Sequence, residues 1–236
     1  MKPFSRAALL LASSSLLAAC LNPAPYPGGN PAGDPGGWTT LFDGRTLGGW
    51  KQFPPVEGQD ASRTWFVKDT ILCCSGTPAG YIATEGAYQD FELEVEWRFD
   101  PAKGPGNSGV LLRVQKPDQV WPKSMEAQLN SGDAGDIWNI GDFPAKADQA
   151  RTEGRRTRKM GACSEVPLGG WNLYRIVMDA GRLELYVNGQ LQNVADGVER
   201  VPGRIALQSE GAWIEFRMVR IRPTRGLGNG SWVESK

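Results

Sequence analysis

The segment SMEAQLN, residues 124–130, carries the side chains best suited to chemistry in this chain. Alternate residues of a β-strand lie on opposite faces, so the three apolar residues predict one face, and Glu126, Gln128 and Asn130 share the other. Carboxylate and amide groups with tryptophan nearby suit a sugar, because hydroxyl groups need polar partners and a pyranose ring stacks on an aromatic plane. The alternation does not decide whether this face meets bulk water or lines a cleft.

An arginine interrupts a strongly apolar strand nearby. In GPGNSGVLLRVQ, residues 104–115, the alternation predicts that Val110, Leu112 and Val114 face the core and that Arg113 lies on the opposite face. Two interpretations stay open at this point. Arg113 is either an ordinary charge facing solvent or a charge that lines a groove.

The composition limits the available chemistry. The 236-residue chain contains no histidine, which excludes Ser-His-Asp and Cys-His catalysis and histidine-ligated zinc. Acid–base chemistry must therefore use Asp, Glu, Lys, Tyr or Cys. Lys plus Arg and Asp plus Glu each number 26, and this balance gives no support for nucleic acid as a partner, since such binding needs a basic surface.

The elements that must position these residues are predicted to be strands. Clean alternation in FELEVEWRF, residues 91–99, indicates a half-buried antiparallel strand, and Asn188-Gly189 predicts a hairpin turn. The 30 glycines, 17 prolines and nine tryptophans also favour an all-β protein. Residues 145–160 lack an apolar stripe and predict a long solvated loop. We therefore expect one all-β domain over residues 38–224, a jelly-roll sandwich of two antiparallel sheets.

The two ends have the composition of targeting and tether segments. Residues 1–20 combine two basic residues with an apolar stretch too short to span a bilayer, and they end in Leu-Ala-Ala-Cys, which resembles a bacterial lipobox. We expect a lipoprotein signal peptide, lipidation of Cys20, and a cell-envelope location with an outer-membrane anchor facing the periplasm, since Leu21 rather than Asp follows the cysteine. Residues 21–37 predict a Pro/Gly-rich tether, and residues 225–236 predict a flexible tail.

Three further cysteines, Cys73, Cys74 and Cys163, bear on the redox state. An exported protein lives in an oxidising compartment, which favours one disulfide. Adjacent strand residues point to opposite faces, so only one member of the first pair can readily face Cys163. We expect a bridge from Cys163 to either Cys73 or Cys74, with one free thiol remaining. No CxxC spacing exists, so no structural zinc site is predicted.

Nine motifs occur in the order found in one protein family. They are WTTLFDGRTLGGWK (38–51), YQDFELEVEWRF (88–99), GNSGVLLR (106–113), MEAQLN (125–130), GDIW (135–138), EVPLGGWN (165–172), LYVNGQ (185–190), GRIALQSEG (203–211) and IEFRMVRIRP (214–223). The ordered set resembles the 3-keto-disaccharide hydrolase family, whose fold is a concanavalin/laminin-G-like jelly roll. The resemblance covers residues 38–223.

The resemblance implies a carbohydrate substrate, a 3-keto-glycoside, that a separate sugar 3-dehydrogenase has oxidised at carbon 3. A base would remove the acidified hydrogen at carbon 2, the aglycone would leave carbon 1, and water would then add to release the 3-keto sugar. Such a site needs a base and charge stabilisation at the carbonyl oxygen. The same fold would also serve the alternative, a non-catalytic lectin-like lipoprotein that binds carbohydrate.

By this resemblance Glu126 is the expected base. Arg113 is its expected partner, either stabilising the enediolate or holding Glu126 ionised, and Asp136 is the expected second carboxylate. The expected substrate-binding residues are Asn107, Ser108, Gln128, Trp138, Lys159 and Gln208. Structural roles stay open for most of these side chains, including an ion pair between Arg113 and Glu126, turn formation, and a solvated basic loop.

No cofactor is predicted. Glu126, Asp136 and nearby carbonyl oxygens are donors of the kind that Ca²⁺ prefers. The spacing contains no dedicated calcium loop, so a metal site is not predicted either.

Overall fold

The fold consists of two antiparallel β-sheets packed face to face in a computed structural model, which describes residues 37–55 and 61–224. The predicted all-β sandwich is therefore confirmed. The predicted signal peptide, the lipidation site Cys20, nearly all of the tether and the tail lie outside the described residues. Within the described ranges, no helix is long and apolar enough to cross a membrane.

Seventeen strands and two short helical turns build the described ranges. In chain order they are β1 (Thr39–Thr40), β2 (Trp50–Phe53), α1 (Ala61–Thr64), β3 (Trp65–Lys68), β4 (Ile71–Cys74), β5 (Gly80–Thr84), β6 (Phe91–Phe99), β7 (Gly109–Val114), β8 (Ser124–Gln128), β9 (Ile137–Ile140), β10 (Lys146–Ala147), a 3₁₀ turn (Gln149–Arg151), β11 (Thr152–Glu153), β12 (Arg156–Thr157), β13 (Asn172–Asp179), β14 (Arg182–Val187), β15 (Gln190–Asp196), β16 (Arg204–Ser209) and β17 (Ile214–Arg222).

The strands divide into two sheets. The back sheet has the order β10-β15-β14-β13-β6-β17-β4-β3, and β1 also pairs with β17. The front sheet has the order β11-β12-β9-β8-β7-β16-β5-β2. The strands β7, β8 and β16 are thus neighbours or near neighbours at the centre of the front sheet, which brings distant parts of the sequence together.

The core lies between the sheets and follows the predicted alternation. The odd-numbered residues of β6, from Phe91 to Phe99, are all buried in it, whereas the glutamates between them pair with arginines of neighbouring strands on the outer face. The predicted hairpin turn is present between β14 and β15. Asn188 has φ +50° and Gly189 has φ +80°, the left-handed backbone that Asn-Gly accommodates at low cost.

The front sheet is buried on both faces at its centre. Its inner face joins the core, while its outer face carries a second, smaller apolar cluster. The members of this cluster are Tyr81, Ala83, Leu111, Val114, Ile140 and Ala206, with Phe53 packed against them. The loop of residues 115–123 is fastened beside this cluster, since the Tyr81 hydroxyl donates a hydrogen bond to Asp118 Oδ1 at 3.0 Å. Part of the outer face is therefore filled, and the remainder is free to form a pocket.

The prediction of a long solvated loop over residues 145–160 is wrong in part. The segment is largely exposed, but it contains β10, which extends the back sheet, and the hairpin β11–β12, which extends the front sheet through β9. These strands are only two residues long, so they bury too little apolar surface to produce a recognisable alternation.

The predicted disulfide is also wrong, since Cys73, Cys74 and Cys163 are all free. The first two lie in β4, whereas Cys163 lies in an exposed loop beside the end of β14, where Ser164 donates to the Val187 carbonyl. Three strands separate β14 from β4, a distance of roughly 19 Å at about 4.8 Å per spacing, and a disulfide needs Cα atoms less than about 7 Å apart. Burial raises the pKa of Cys73 and of Cys74 to about 11, so both are neutral thiols.

Candidate functional site

A pocket of about 330 Å³ lies on the outer face of the front sheet. Its volume falls at the lower end of the range for small-molecule sites. The lining residues come from β8, β9 and the loops around β7, β12 and β16, and they are Asn107, Trp121, Glu126, Gln128, Trp138, Ile140, Arg155 and Glu210. Carboxylates, amides, an arginine and tryptophans thus meet in one concave site.

Glu126 lies at the centre of this pocket. Its strand β8 is paired on both sides, with Leu111 opposite Glu126 in β7 and Trp138 opposite it in β9. The residue is only 5% exposed, and its Oε1 atom has no hydrogen-bond partner. Burial raises the pKa of Glu126 to about 8, and the negative charge of Glu210 adds to the shift, whereas the neighbouring Gln208 amide and the charge of Arg155 oppose it. A carboxyl group of this kind can exchange a proton near neutral pH.

Glu210 is a second carboxylate that the sequence analysis did not single out. It follows the end of β16, lines the pocket, and has a raised pKa because it is partly buried. The motif GRIALQSEG contains it, but the strand alternation ends one residue earlier at Ser209, so the period of two does not assign it to a face.

Gly109 and Gln208 lie beside the Glu126 carboxyl group. A Cβ atom at Gly109 would lie 2.3 Å from Glu126 Oε1 and 2.6 Å from Gln208 Oε1. Real side chains do not tolerate such distances, so the position must be glycine for Glu126 to keep this rotamer. Gln208 is 1% exposed, and neither its Oε1 nor its Nε2 has a hydrogen-bond partner. Gln208 was expected to bind substrate, but it does not line the pocket, and its amide lies beside the Glu126 carboxyl group instead.

Asn107 and Ser108 play different parts in the turn before β7. Asn107 lines the pocket, and its buried Oδ1 atom lacks a partner. Ser108 is fully buried and donates from its hydroxyl to the Gln208 carbonyl at 2.9 Å. The structure therefore brings Asn107 to the site, whereas Ser108 joins β7 to β16 and does not line the pocket.

Gln128 and Trp138 both line the pocket, as the sequence analysis expected of groove residues. The Gln128 Oε1 atom accepts hydrogen bonds from the backbone N–H groups of Leu129 and Asn130, both at 2.8 Å, so the Nε2 group is the one left for a ligand. The buried Trp138 Nε1 has no partner, and the Arg155 guanidinium lies 5.9 Å from the centre of its ring.

Asp136 and Lys159, two expected site residues, do not line the pocket. Asp136 is 1% exposed, and its carboxylate accepts from Arg156 Nε at 2.6 Å and from the Lys159 backbone N–H at 2.7 Å. The Lys159 ammonium group donates to the Gly132 carbonyl. Both residues were expected at the ligand, but their polar groups are already bound. They instead anchor the β11–β12 hairpin, which carries Arg155.

The expectation that Arg113 shares a groove with Glu126 is wrong. Arg113 is fully buried, and its guanidinium donates to the carbonyls of Gln89 at 2.8 Å and of Glu199, with Asp90 3.4 Å away. These partners belong to segments that flank strands of the back sheet. Burial lowers the pKa of Arg113 to about 10 and Asp90 opposes this shift, so the side chain remains charged.

A β-bulge explains this orientation. Arg204 pairs with Val114 and Ala206 pairs with Leu111, so two residues of β7 oppose the single residue between them in β16. Arg113 takes φ +54° at this point. The bulge turns Arg113 away from the pocket and moves Val114 from the predicted core face to the small cluster on the outer face.

Arg155 and Trp121 also line the pocket, although the sequence did not predict either of them as a site residue. Arg155 sits at the tip of the β11–β12 hairpin, inside a basic run that the sequence presents as a solvated loop. Trp121 belongs to the loop before β8.

The described residues contain no group of three or more His, Cys, Asp and Glu side chains that could hold a metal ion, and Asp136 does not join Glu126 as a Ca²⁺ donor.

Comparisons with known proteins agree with this description. Over 93 residues the chain is 32% identical to a 3-keto-disaccharide hydrolase of Bacteroides thetaiotaomicron, a match that spans 35% of this chain and 29% of that protein. A structure from Parabacteroides distasonis, described provisionally as a glycosyl hydrolase, has a TM-score of 0.59 and 21% identity, covering 80% of this chain and 95% of the other. The β-glucanase of Bacillus licheniformis has a TM-score of 0.55 and 13% sequence identity, and the match covers 78% of this chain and 96% of that one. These neighbours confirm the predicted jelly roll.

The family assignment rests on the sequence. Residues 37–222, which include every strand of both sheets and every residue that lines the pocket, match the profile described as the 3-keto-alpha-glucoside-1,2-lyase-like domain. The predicted relationship to 3-keto-disaccharide hydrolases is thereby confirmed, and the chain belongs to this domain family.

Proposed function

We propose that the pocket around Glu126 cleaves 3-keto-glycosides by elimination followed by hydration. One observation carries the proposal: a buried carboxyl group with an unpartnered oxygen lies in a small pocket among amides and an arginine, in a chain that belongs to this family. A carbonyl at sugar carbon 3 makes the neighbouring hydrogen on carbon 2 acidic. The pocket supplies a base for that hydrogen and polar groups for the oxygen atoms.

Glu126 is the base in this scheme. Its ionised carboxylate removes the hydrogen of carbon 2, and the electron pair of that bond moves toward the carbonyl, giving an enediolate. Burial and the charge of Glu210 raise its pKa to about 8, which increases its affinity for the proton. The bond from carbon 1 to the aglycone oxygen then breaks, and protonated Glu126 returns the proton to that oxygen. Water finally adds its hydroxyl to carbon 1 and a proton to carbon 2.

Arg155 takes the role that the family resemblance implies for Arg113. Its guanidinium lines the pocket, and among the described residues no carboxylate forms an ion pair with it. Arg155 is exposed at the hairpin tip, and a cation there that is free to approach a developing enediolate lowers the energy of that intermediate. The amides of Asn107 and Gln128, which line the pocket, offer hydrogen bonds to sugar hydroxyl groups.

Solvent deuterium tests this mechanism. Purified protein is given a 3-keto-disaccharide in D₂O, and release of the 3-keto monosaccharide is followed together with its deuterium content at carbon 2. Elimination followed by hydration places deuterium at carbon 2 during turnover, whereas direct displacement at carbon 1 does not. The Glu126→Gln variant corrects for exchange of the free product, and we expect it to be slower by a factor of at least about 100. Binding of unoxidised sugars without turnover of any keto-sugar would instead favour a lectin.

The cell-envelope location remains part of the proposal. The lipobox-like sequence ending at Cys20 and the following Pro/Gly-rich segment support a lipid anchor in the outer membrane. A sugar 3-dehydrogenase would have to supply the substrate. Growth of the producing bacterium in labelled palmitate tests the anchor, because label must appear in the wild-type protein and not in a Cys20→Ser variant.

A further inference from the structure

Trp121 is exposed on the rim of the pocket that contains Glu126. Its side chain is 40% exposed, and it lines the pocket. A single exposed tryptophan on a protein surface needs no explanation by itself. Two further features indicate that Trp121 binds a ligand. They are the anchoring of its loop and its position along the pocket.

The loop of residues 115–123 is fixed at its centre. Asp118 accepts hydrogen bonds from Tyr81 of β5, Arg204 of β16 and Lys116. Although burial opposes the shift, these three bonds lower the pKa of Asp118 to about 2. The Trp121 carbonyl also accepts from Gln119 Nε2 at 2.9 Å. The loop is therefore held to two strands of the front sheet while its indole is left at the pocket, as expected of a preorganised binding surface.

Strand register orders the pocket from an apolar end to a polar end. Ser124 is opposite Ile140 at the start of β8, and Glu126 is opposite Trp138 in the middle. Gln128 is opposite Gly109, close to the turn that contains Asn107. Trp121 precedes β8 and therefore belongs to the Ile140 end, whereas Glu210 follows β16 beside the Asn107 end. Glu126 lies between an apolar surface and a set of amides and carboxylate.

We infer that Trp121 is the platform for the leaving group of the glycoside. This assignment rests on the proposed function. The keto-sugar has carbonyl and hydroxyl groups and therefore binds at the polar end of the pocket. The aglycone binds at the apolar end, on the other side of Glu126. An indole binds rings that present an apolar face, so the aglycones selected are sugar rings or aromatic rings rather than small alkyl groups. Trp121 is thus a specificity-determining residue.

A series of leaving groups tests the assignment. Three 3-keto-glucosides are compared, with methyl, glucosyl and p-nitrophenyl aglycones, for the wild type and for Trp121→Ala and Trp121→Phe. For the two ring-bearing substrates we expect Trp121→Ala to lower kcat/KM about tenfold, and Trp121→Phe to restore most of it. The methyl glycoside should change less than about twofold, since it makes no stacking contact. Leu191→Ala, at another exposed apolar residue, is the matched control.

The outcomes separate this inference from the function on which it rests. An equal loss of kcat/KM on all three substrates in Trp121→Ala, with wild-type turnover intact, would overturn the aglycone assignment alone. Absence of turnover of any of the three by the wild type would remove the proposed function, and the assignment with it. A loss confined to one ring-bearing substrate would show which ring class the indole accepts and would support the assignment.

Discussion

The carboxyl group of Glu126 shares its pocket with the carboxyl group of Glu210, and this neighbour helps to keep Glu126 protonated. Burial is the larger cause, since Glu126 is 5% exposed. When two neighbouring carboxyl groups have unequal surroundings, their pKa values move apart, so one group is ionised at a lower pH and the other keeps its proton to a higher pH. The pair therefore supplies a base of high proton affinity without histidine.

The pH dependence of turnover follows from this relationship. The base must be ionised, so kcat/KM should rise with pH to a midpoint near 8, with about a tenth of Glu126 ionised at pH 7. Glu210→Gln removes a negative charge and should move the midpoint to lower pH. Glu85→Gln, at an exposed glutamate on the surface, is the control. A rate that is constant from pH 6 to pH 9 would contradict the role of Glu126 as base.

Stability should depend on the same proton. The pKa of Glu126 is about 8 in the folded protein against 4.5 for an ordinary glutamate, so between these values the folded state holds a proton that the unfolded chain has released. The free energy of unfolding therefore falls as the pH rises from 4.5 to about 8 and then levels off. Glu126→Gln lacks this dependence and should gain on the order of a few kcal/mol over the wild type between pH 5 and pH 8.5. Urea unfolding at both pH values measures the difference, and an equal difference at the two would exclude a buried neutral carboxyl group.

Gly109 should be required for the position of Glu126. An alanine Cβ would lie 2.3 Å from Glu126 Oε1, so the carboxyl group must move in Gly109→Ala. We expect kcat to fall about 10- to 100-fold, because small displacements of a reacting group are costly. Gly161→Ala is the control, since no atom lies within 4 Å of its added Cβ. Full activity in Gly109→Ala would show that the observed position of Glu126 is not the reactive one.

Substitution of Arg155 should lower kcat, whereas substitution of Arg158 should not. Both belong to the β11–β12 segment, but Arg155 lines the pocket, whereas Arg158 pairs with the exposed Glu153. Removal of a charge that stabilises an enediolate should lower kcat about 100-fold in Arg155→Met, with a smaller change in KM. Arg158→Met keeps the pocket charge and should stay within about twofold of the wild type. Steady-state kinetics of the two variants decide the matter, and equal losses would indicate that the hairpin has only a structural role.

The sequence predicted the fold and the centre of the site where the strands are regular. Glu126 and Gln128 were assigned to the correct face because β8 is paired on both sides without a bulge, so the period of two holds throughout. Arg113 was misplaced because one extra residue in β7 reverses the faces, and composition does not reveal a bulge. Three lining residues lie just outside regular strands, namely Glu210, Arg155 and Trp121. Strand alternation does not predict the direction of their side chains, because only the tertiary pairing of the strands brings them to the pocket.

Arg113 should therefore prove structural. Its guanidinium donates to the carbonyls of Gln89 and Glu199 and faces Asp90, so its removal takes one donor from each carbonyl and one cation from Asp90, which keeps its ion pair with Arg200. Arg113→Met should lower the free energy of unfolding by about 1–3 kcal/mol, while kcat/KM per folded molecule stays within about threefold of the wild type. Arg113→Lys keeps the charge without the planar fork and should lose less stability, which provides a folded variant if the methionine variant does not fold. Urea unfolding together with activity normalised to the folded fraction checks both. A stable Arg113→Lys variant that has lost turnover would return Arg113 to the active site and would require β7 to pair without its bulge.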